Sequence, residues 1–110
     1  MNLGRLDQMT EQALEVLAGD DPAQMRRLVR DLAQEYSSDP ALAIAFALTS
    51  AASALEDMVR DESGAAARAY KLSALVAADV MAVQAMGKQD VLGQDLLYFW
   101  RRVDPYFLNI

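Results

Sequence analysis

Between Pro40 and Leu55 the chain runs sixteen residues without an Asp, Glu, Lys or Arg, "PALAIAFALTSAASAL", and seven of the sixteen are alanine. Such a run permits a membrane span, the central helix of a soluble core, or a helix face kept small so that another polypeptide can approach. A bilayer asks for about 20 predominantly apolar residues, and this run is shorter and diluted by Thr49, Ser50 and Ser53. On a helical wheel of roughly 100° per residue, Ile44, Leu48, Ala51, Leu55, Met58 and Val59 form one stripe. Leu42, Phe46, Thr49, Ser50, Ser53, Asp57 and Arg60 fall opposite. The run is therefore amphipathic, with hydroxyls where charges would usually stand. A membrane span is rejected, leaving a helix covered on both sides by its own domain, or a subunit interface.

The rest of the chain carries helix signals only. No segment alternates with period two, and no Asn-Gly or Asp-Gly hairpin turn occurs. Punctuation places five helices. The first is expected from Thr10, as N-cap, to Ala18, with Gly19 as its stop and residues 1–9 as an N-terminal arm. The second opens at Asp21-Pro22-Ala23-Gln24, where Asp21 caps, Pro22 suits the first helical position and Gln24 can reach back; it ends near Tyr36. Asp39-Pro40 repeats the device and opens the third, which continues to about Asp61. The fourth spans about Ala65 to Met86, stopped by Gly87. Asp90 caps the fifth, from Val91 to about Val103, and Asp104-Pro105 ends it. The two Asp-Pro-Ala openings raise a repeat array, but the helices are of unequal length, and solenoids repeat a fixed unit. Short connections imply antiparallel neighbours. The expected fold is a single all-α domain, 1–110, a five-helix antiparallel bundle that dimerises, with an apolar C-terminal tail at 104–110.

Composition removes several chemistries. There is no cysteine and no histidine, so Ser–His and Cys–His nucleophilic chemistry and the usual zinc sites lack their residues. A formal net charge of −6 argues against a nucleic-acid partner, whose phosphates are met by concentrated Lys and Arg. The start, "MNLGRLDQMTEQ", has no apolar signal-peptide core, so a soluble, cytoplasmic protein without a membrane partner is expected. Twenty alanines, and eight Arg against two Lys, suggest a bacterial genome rich in G and C.

Three groups of residues remain as candidates. In the fourth helix Asp79 falls among Leu72, Leu75, Val76, Val83 and Met86, where an unpaired carboxylate is costly. It is expected to have a mate, an Arg or a hydroxyl such as Thr49, with a polar ligand pocket or a catalytic acid as less ordinary uses. A second strip on the same helix holds Tyr70, Ala74, Ala77 and Met81. At the end of the third helix Glu56, Asp57, Asp61 and Glu62 form an acidic knot. With Asp79, and with Arg60 or Arg68, it could serve a magnesium-dependent hydrolase or small-molecule site, but the second half of such a cage is missing and a solvated loop is the plainer reading.

Arg26, Arg27 and Arg30 stand on the outer face of the second helix, diluted by Asp31 and Glu35, and read as a solvated face. The C-terminus, "DLLYFWRRVDPYFLNI", gathers Tyr98, Phe99, Trp100, Tyr106 and Phe107. Leu92, Leu96, Phe99, Trp100 and Val103 should line the core side of the fifth helix, while the apolar tail beyond Pro105 must cover something or be covered. The sequence thus points to a non-catalytic protein–protein interaction module: a homodimeric adaptor, chaperone or regulatory subunit without metal or cofactor. Its candidate interface is Leu42, Phe46, Thr49, Ser53, Tyr70, Ala77, Met81, Tyr98, Trp100, Tyr106 and Phe107.

Overall fold

A computed structural model describes residues 1–58 and 64–110, and these are helical with no strand among them. Among the described residues six helices follow one another: α1 (Leu3–Ala18), α2 (Pro22–Glu35), α3 (Leu42–Glu56), α4 (Ala65–Ala85), α5 (Gly93–Arg102) and α6 (Tyr106–Asn109). Helix α3 packs against α4 and α1, while α5 bridges α2 and α4, and α6 sits on α2 and α5. The molecule measures 44 × 30 × 20 Å.

The first helix is longer than its punctuation implies. It begins at Leu3, capped by the Asn2 carboxamide, whose Oδ1 accepts the Gly4 N–H at 2.7 Å. Residues 1–9 are therefore not an arm, and Thr10 is not a cap. Thr10 lies inside the helix and donates its hydroxyl to the Leu6 carbonyl one turn back, at 3.0 Å. Leu6, Met9, Ala13 and Leu17 recur every three or four residues and turn inward; Met9, Ala13 and Leu17 are buried. That stripe extends the helix through Thr10.

The two Asp-Pro signals meet different fates. Asp21 caps α2 as its sequence implies, its Oδ1 accepting the N–H groups of Ala23 and Gln24 at 3.0 and 3.3 Å. Asp39 does not cap α3. Its carboxylate is held by Arg5 of α1, Nη2 to Oδ2 at 2.6 Å, and α3 starts only at Leu42. Pro40 instead forms a single antiparallel bridge with Leu92.

Around that bridge the α2–α3 connection is laced to the approach of α5. Ala41 N–H donates to the Val91 carbonyl (2.8 Å), Gly93 N–H to Asp39 (3.1 Å) and Gln94 N–H to Ser37 (2.9 Å). The fifth helix accordingly opens at Gly93, not after Asp90, with the Asp95 carboxylate reaching back to the Leu92 N–H at 2.8 Å. Gly93 is required here by contact, because a Cβ would stand 2.8 Å from the carbonyl oxygens of both Ala33 and Tyr36. Gly87 does end α4 as expected, in the left-handed region at φ +110°, the conformation glycine adopts without strain at a helix C-terminus.

The core is built on α3. Ile44, Leu48, Ala51 and Leu55 are buried, as the wheel predicts. Ala43, Ala45, Ala47 and Ala52 are buried as well, and their small side chains let α1 and α4 approach closely on both flanks. The third helix is described as far as Glu56, with Asp57 as its C-cap; Val59, Arg60, Asp61 and Glu62 lie outside the described residues. The C-terminal segment folds back on its own bundle. Phe107 is 2% exposed and Trp100 fully buried, and their ring centroids lie 4.9 Å apart.

Candidate functional site

The uncharged run leaves one of its faces open. Leu42, Phe46, Thr49 and Ser53 follow one another at helical spacing along α3 and all are exposed, Leu42 at 53% and Phe46 at 55%. On α4, Tyr70 and Met81 are exposed at 37% and 68%, with half-buried Ala77 between them. The two strips run side by side, because the helices are cross-linked along their seam. The Thr49 and Ser73 hydroxyls are 2.7 Å apart, and Ser73, buried at the seam, donates to the Ala45 carbonyl at 2.8 Å. Ser73 spends its proton on Ala45, so Thr49 is the donor between the two hydroxyls. Further along, Tyr70 donates its phenol to Glu56 Oε2 at 3.1 Å. Pairing 56 with 70 and 49 with 73 makes the helices antiparallel, and places Phe46 level with Ala77 and Leu42 level with Met81 by register.

This face has three physical properties. It is apolar, carrying two leucine-sized side chains, a phenyl ring and a phenol. Among the described residues its charge is confined to one end, where Glu56 and Asp57 stand near Tyr70, since no residue from 40 to 55 ionises and Tyr70, Ala74, Ala77, Ala78 and Met81 on α4 do not either below the phenol's range. It is also low, because alanine, serine and threonine separate the larger side chains. An apolar strip with that relief admits another helix closely.

The aromatic C-terminus does not join this face. Trp100 and Phe107, both expected at an interface, are interior residues of the chain's own core. Tyr106 is half-exposed and packs edge-on against Phe107, centroids 5.2 Å apart. Tyr98 is exposed beneath the Arg102 guanidinium, 5.2 Å above its ring. With Met86, Val103 and Phe99 it borders a shallow apolar groove between α4 and α5, on the other flank of α4. Val103, expected in the core, is exposed, whereas Leu96, Phe99 and Trp100 are buried as predicted.

Asp79 has a mate, but neither an Arg nor Thr49. The Trp100 indole N–H donates to its Oδ2 at 2.9 Å. Burial pushes the Asp79 carboxyl above the usual carboxylate range; the Trp100 bond pulls it down in part, and nearby Asp104 pushes it up. The residue is half-buried, so it edges the core instead of lying in it. Glu56 and Asp79 are not brought together. Glu56 is bonded to Tyr70, nine residues before Asp79 on α4, a separation of about 13 Å at 1.5 Å per residue. Among the described residues no three His, Cys, Asp or Glu side chains cluster so as to hold a metal ion, and no helix is long and apolar enough to cross a membrane.

Two features lay beyond sequence reasoning: the buried Ser73 at the α3–α4 seam and the close approach at Gly93. A serine among alanines at an otherwise apolar position was the available signal for the first. No protein-family model, curated protein or solved structure matches the chain.

Proposed function

We propose that the chain is a non-catalytic protein–protein interaction module that works as a homodimer through the α3/α4 face, in the manner of a small adaptor, chaperone or regulatory subunit. The observation that carries this reading is the exposed, uncharged strip of Leu42, Phe46, Tyr70 and Met81. Single exposed apolar residues need no explanation, but a contiguous set is the mark of a contact surface. A second copy is the partner that the charge distribution favours. The chain carries a net −6, so two copies repel wherever their acidic surfaces meet, and least where neither has a charge. Symmetric two-fold pairs are also the commonest assembly, and bury the same patch from each side.

The test is sedimentation equilibrium over a range of concentrations, with Phe46→Glu as the disrupting variant. Phe46 exposes 55% of its surface, about 110 Å² if the whole residue offers ~200 Å². At ~25 cal/mol/Å² its cover is worth about 2.8 kcal/mol per copy, or about 5.5 kcal/mol per symmetric pair. Phe46→Glu should therefore raise the dimer dissociation constant more than about a thousand-fold with helix content unchanged. A wild-type chain that stays monomeric at the highest soluble concentration removes the reading.

A further inference from the structure

A cleft lies away from the α3/α4 face, between α2 and α4 and closed at one end by α6. It has a volume of about 610 Å³, inside the ~300–1,000 Å³ range of small-molecule sites. Its walls are apolar, from Met25, Leu72 and Tyr106, while Arg26 of α2 and Arg68 and Lys71 of α4 converge on it.

Those three cations stand out against the rest of the chain. Carboxylates outnumber Lys and Arg sixteen to ten, yet these three cations meet at one cleft without a carboxylate partner among the described residues. Among the described residues Arg5, Arg27 and Lys88 each pair with a carboxylate, and Arg102 lies over Tyr98. Arg26, Arg68 and Lys71 take part in no such pair. Arg30 and Arg101 do not either, but neither lines this cleft. Asp21, five residues before Arg26, caps α2, and Asp104, two residues before Tyr106, accepts the Tyr106 N–H at 3.1 Å. Unpartnered positive charge therefore sits at the mouth of an apolar cleft.

We infer that this cleft binds a small amphipathic organic anion, its carboxylate or phosphate head held by Arg26, Arg68 and Lys71 and its apolar body lying against Met25, Leu72 and Tyr106. Two guanidinium forks and an ammonium suit either head group, since both present oxygens that accept charge-assisted bonds. The inference is independent of dimerisation.

Octanoate and octyl phosphate are the probes, titrated against the wild-type chain with methyl-labelled methionine, with octanol and inorganic phosphate as controls. The expected result is a saturable shift of the Met25 methyl with at least one of the anions, while the Met81 methyl on the α3/α4 face stays fixed. Octanol and inorganic phosphate should each bind about ten-fold more weakly or worse, and added salt should weaken the anion further. The tighter of the two anions tells which head group the site takes. Arg68→Gln or Lys71→Gln, both at exposed positions, should weaken binding by roughly ten-fold. Binding of octanol as tight as that of the anions, a Met81 shift tracking that of Met25, or no saturable shift would overturn the inference.

Discussion

Phe107 and Trp100 offer a sharp test of how the C-terminus is held. Phe107→Ala removes a ring that is 2% exposed and packed at a tilt of 49° against Trp100, centroids 4.9 Å apart. Burial of about 200 Å² of ring at ~25 cal/mol/Å² sets an upper figure near 5 kcal/mol, and core Phe→Ala changes cost about 3–5 kcal/mol. The loss is capped by what docking of residues 104–110 is worth, because α6 has only four residues and detaches when its anchor goes. A destabilisation of about 3 kcal/mol, the low end of that range, is expected in urea unfolding. Trp100 is the chain's single tryptophan, so its emission reports the event directly. In the native variant it should shift to the red and become accessible to acrylamide, while the Asp79 bond still holds one edge of the indole. Ile110→Ala, at an exposed position, should leave the emission unchanged. A Phe107→Ala cost below about 1 kcal/mol, with emission like the wild type, would refute the packing of the tail on Trp100.

Other expected outcomes follow from the same contacts. Asp79 has a folded-state pKa above its ordinary value, so its contribution to stability falls as pH rises from the usual carboxylate pKa through the raised one. Asp79→Asn keeps an acceptor for Trp100 without the charge. It should match or exceed wild-type stability at neutral pH, and the difference should vanish below the ordinary carboxylate range; urea midpoints across pH measure this. Gly93→Ala sets a methyl against two carbonyl oxygens and should lower stability by about 2 kcal/mol or more, read from thermal melts. Ser73→Ala removes the buried donor to Ala45 and should cost about 1 kcal/mol, more than Thr49→Ala, at an exposed position.

Much of the architecture was legible in the sequence, for identifiable reasons. The helical class followed from the absence of period-two patterning, and α2 and the end of α4 from local devices, Asp21-Pro22 and Gly87, whose partners lie within a few residues. The buried stripe of α3 was legible in its charge-free run, but whether the hydroxyl-bearing side was covered by the same domain or left bare was not, and only the fold shows Leu42 and Phe46 exposed. Reading failed where a distant residue outbid a local one. Asp39-Pro40 looks like Asp21-Pro22, but Arg5, 34 residues away, takes the carboxylate and Leu92 takes the bridge. Asp90 reads as a cap, yet α5 is placed by the seat of Gly93 against α2. At the N-terminus the apolar stripe Leu6-Met9-Ala13-Leu17 was present and a capping-type Thr10 concealed it. The aromatic tail supplied composition without direction, and only the fold shows Phe107 turned inward and Tyr98 outward.

The α3/α4 face as the meeting place of two copies is tested most directly by a distance measured across the pair. The chain has no cysteine, so Ser53→Cys places one nitroxide on the exposed strip and Gln34→Cys places one on the exposed side of α2. Strong dipolar coupling between protomers at Ser53→Cys, with weak or no coupling at Gln34→Cys, is the predicted result. Coupling absent at both positions, or stronger at Gln34→Cys, would contradict it.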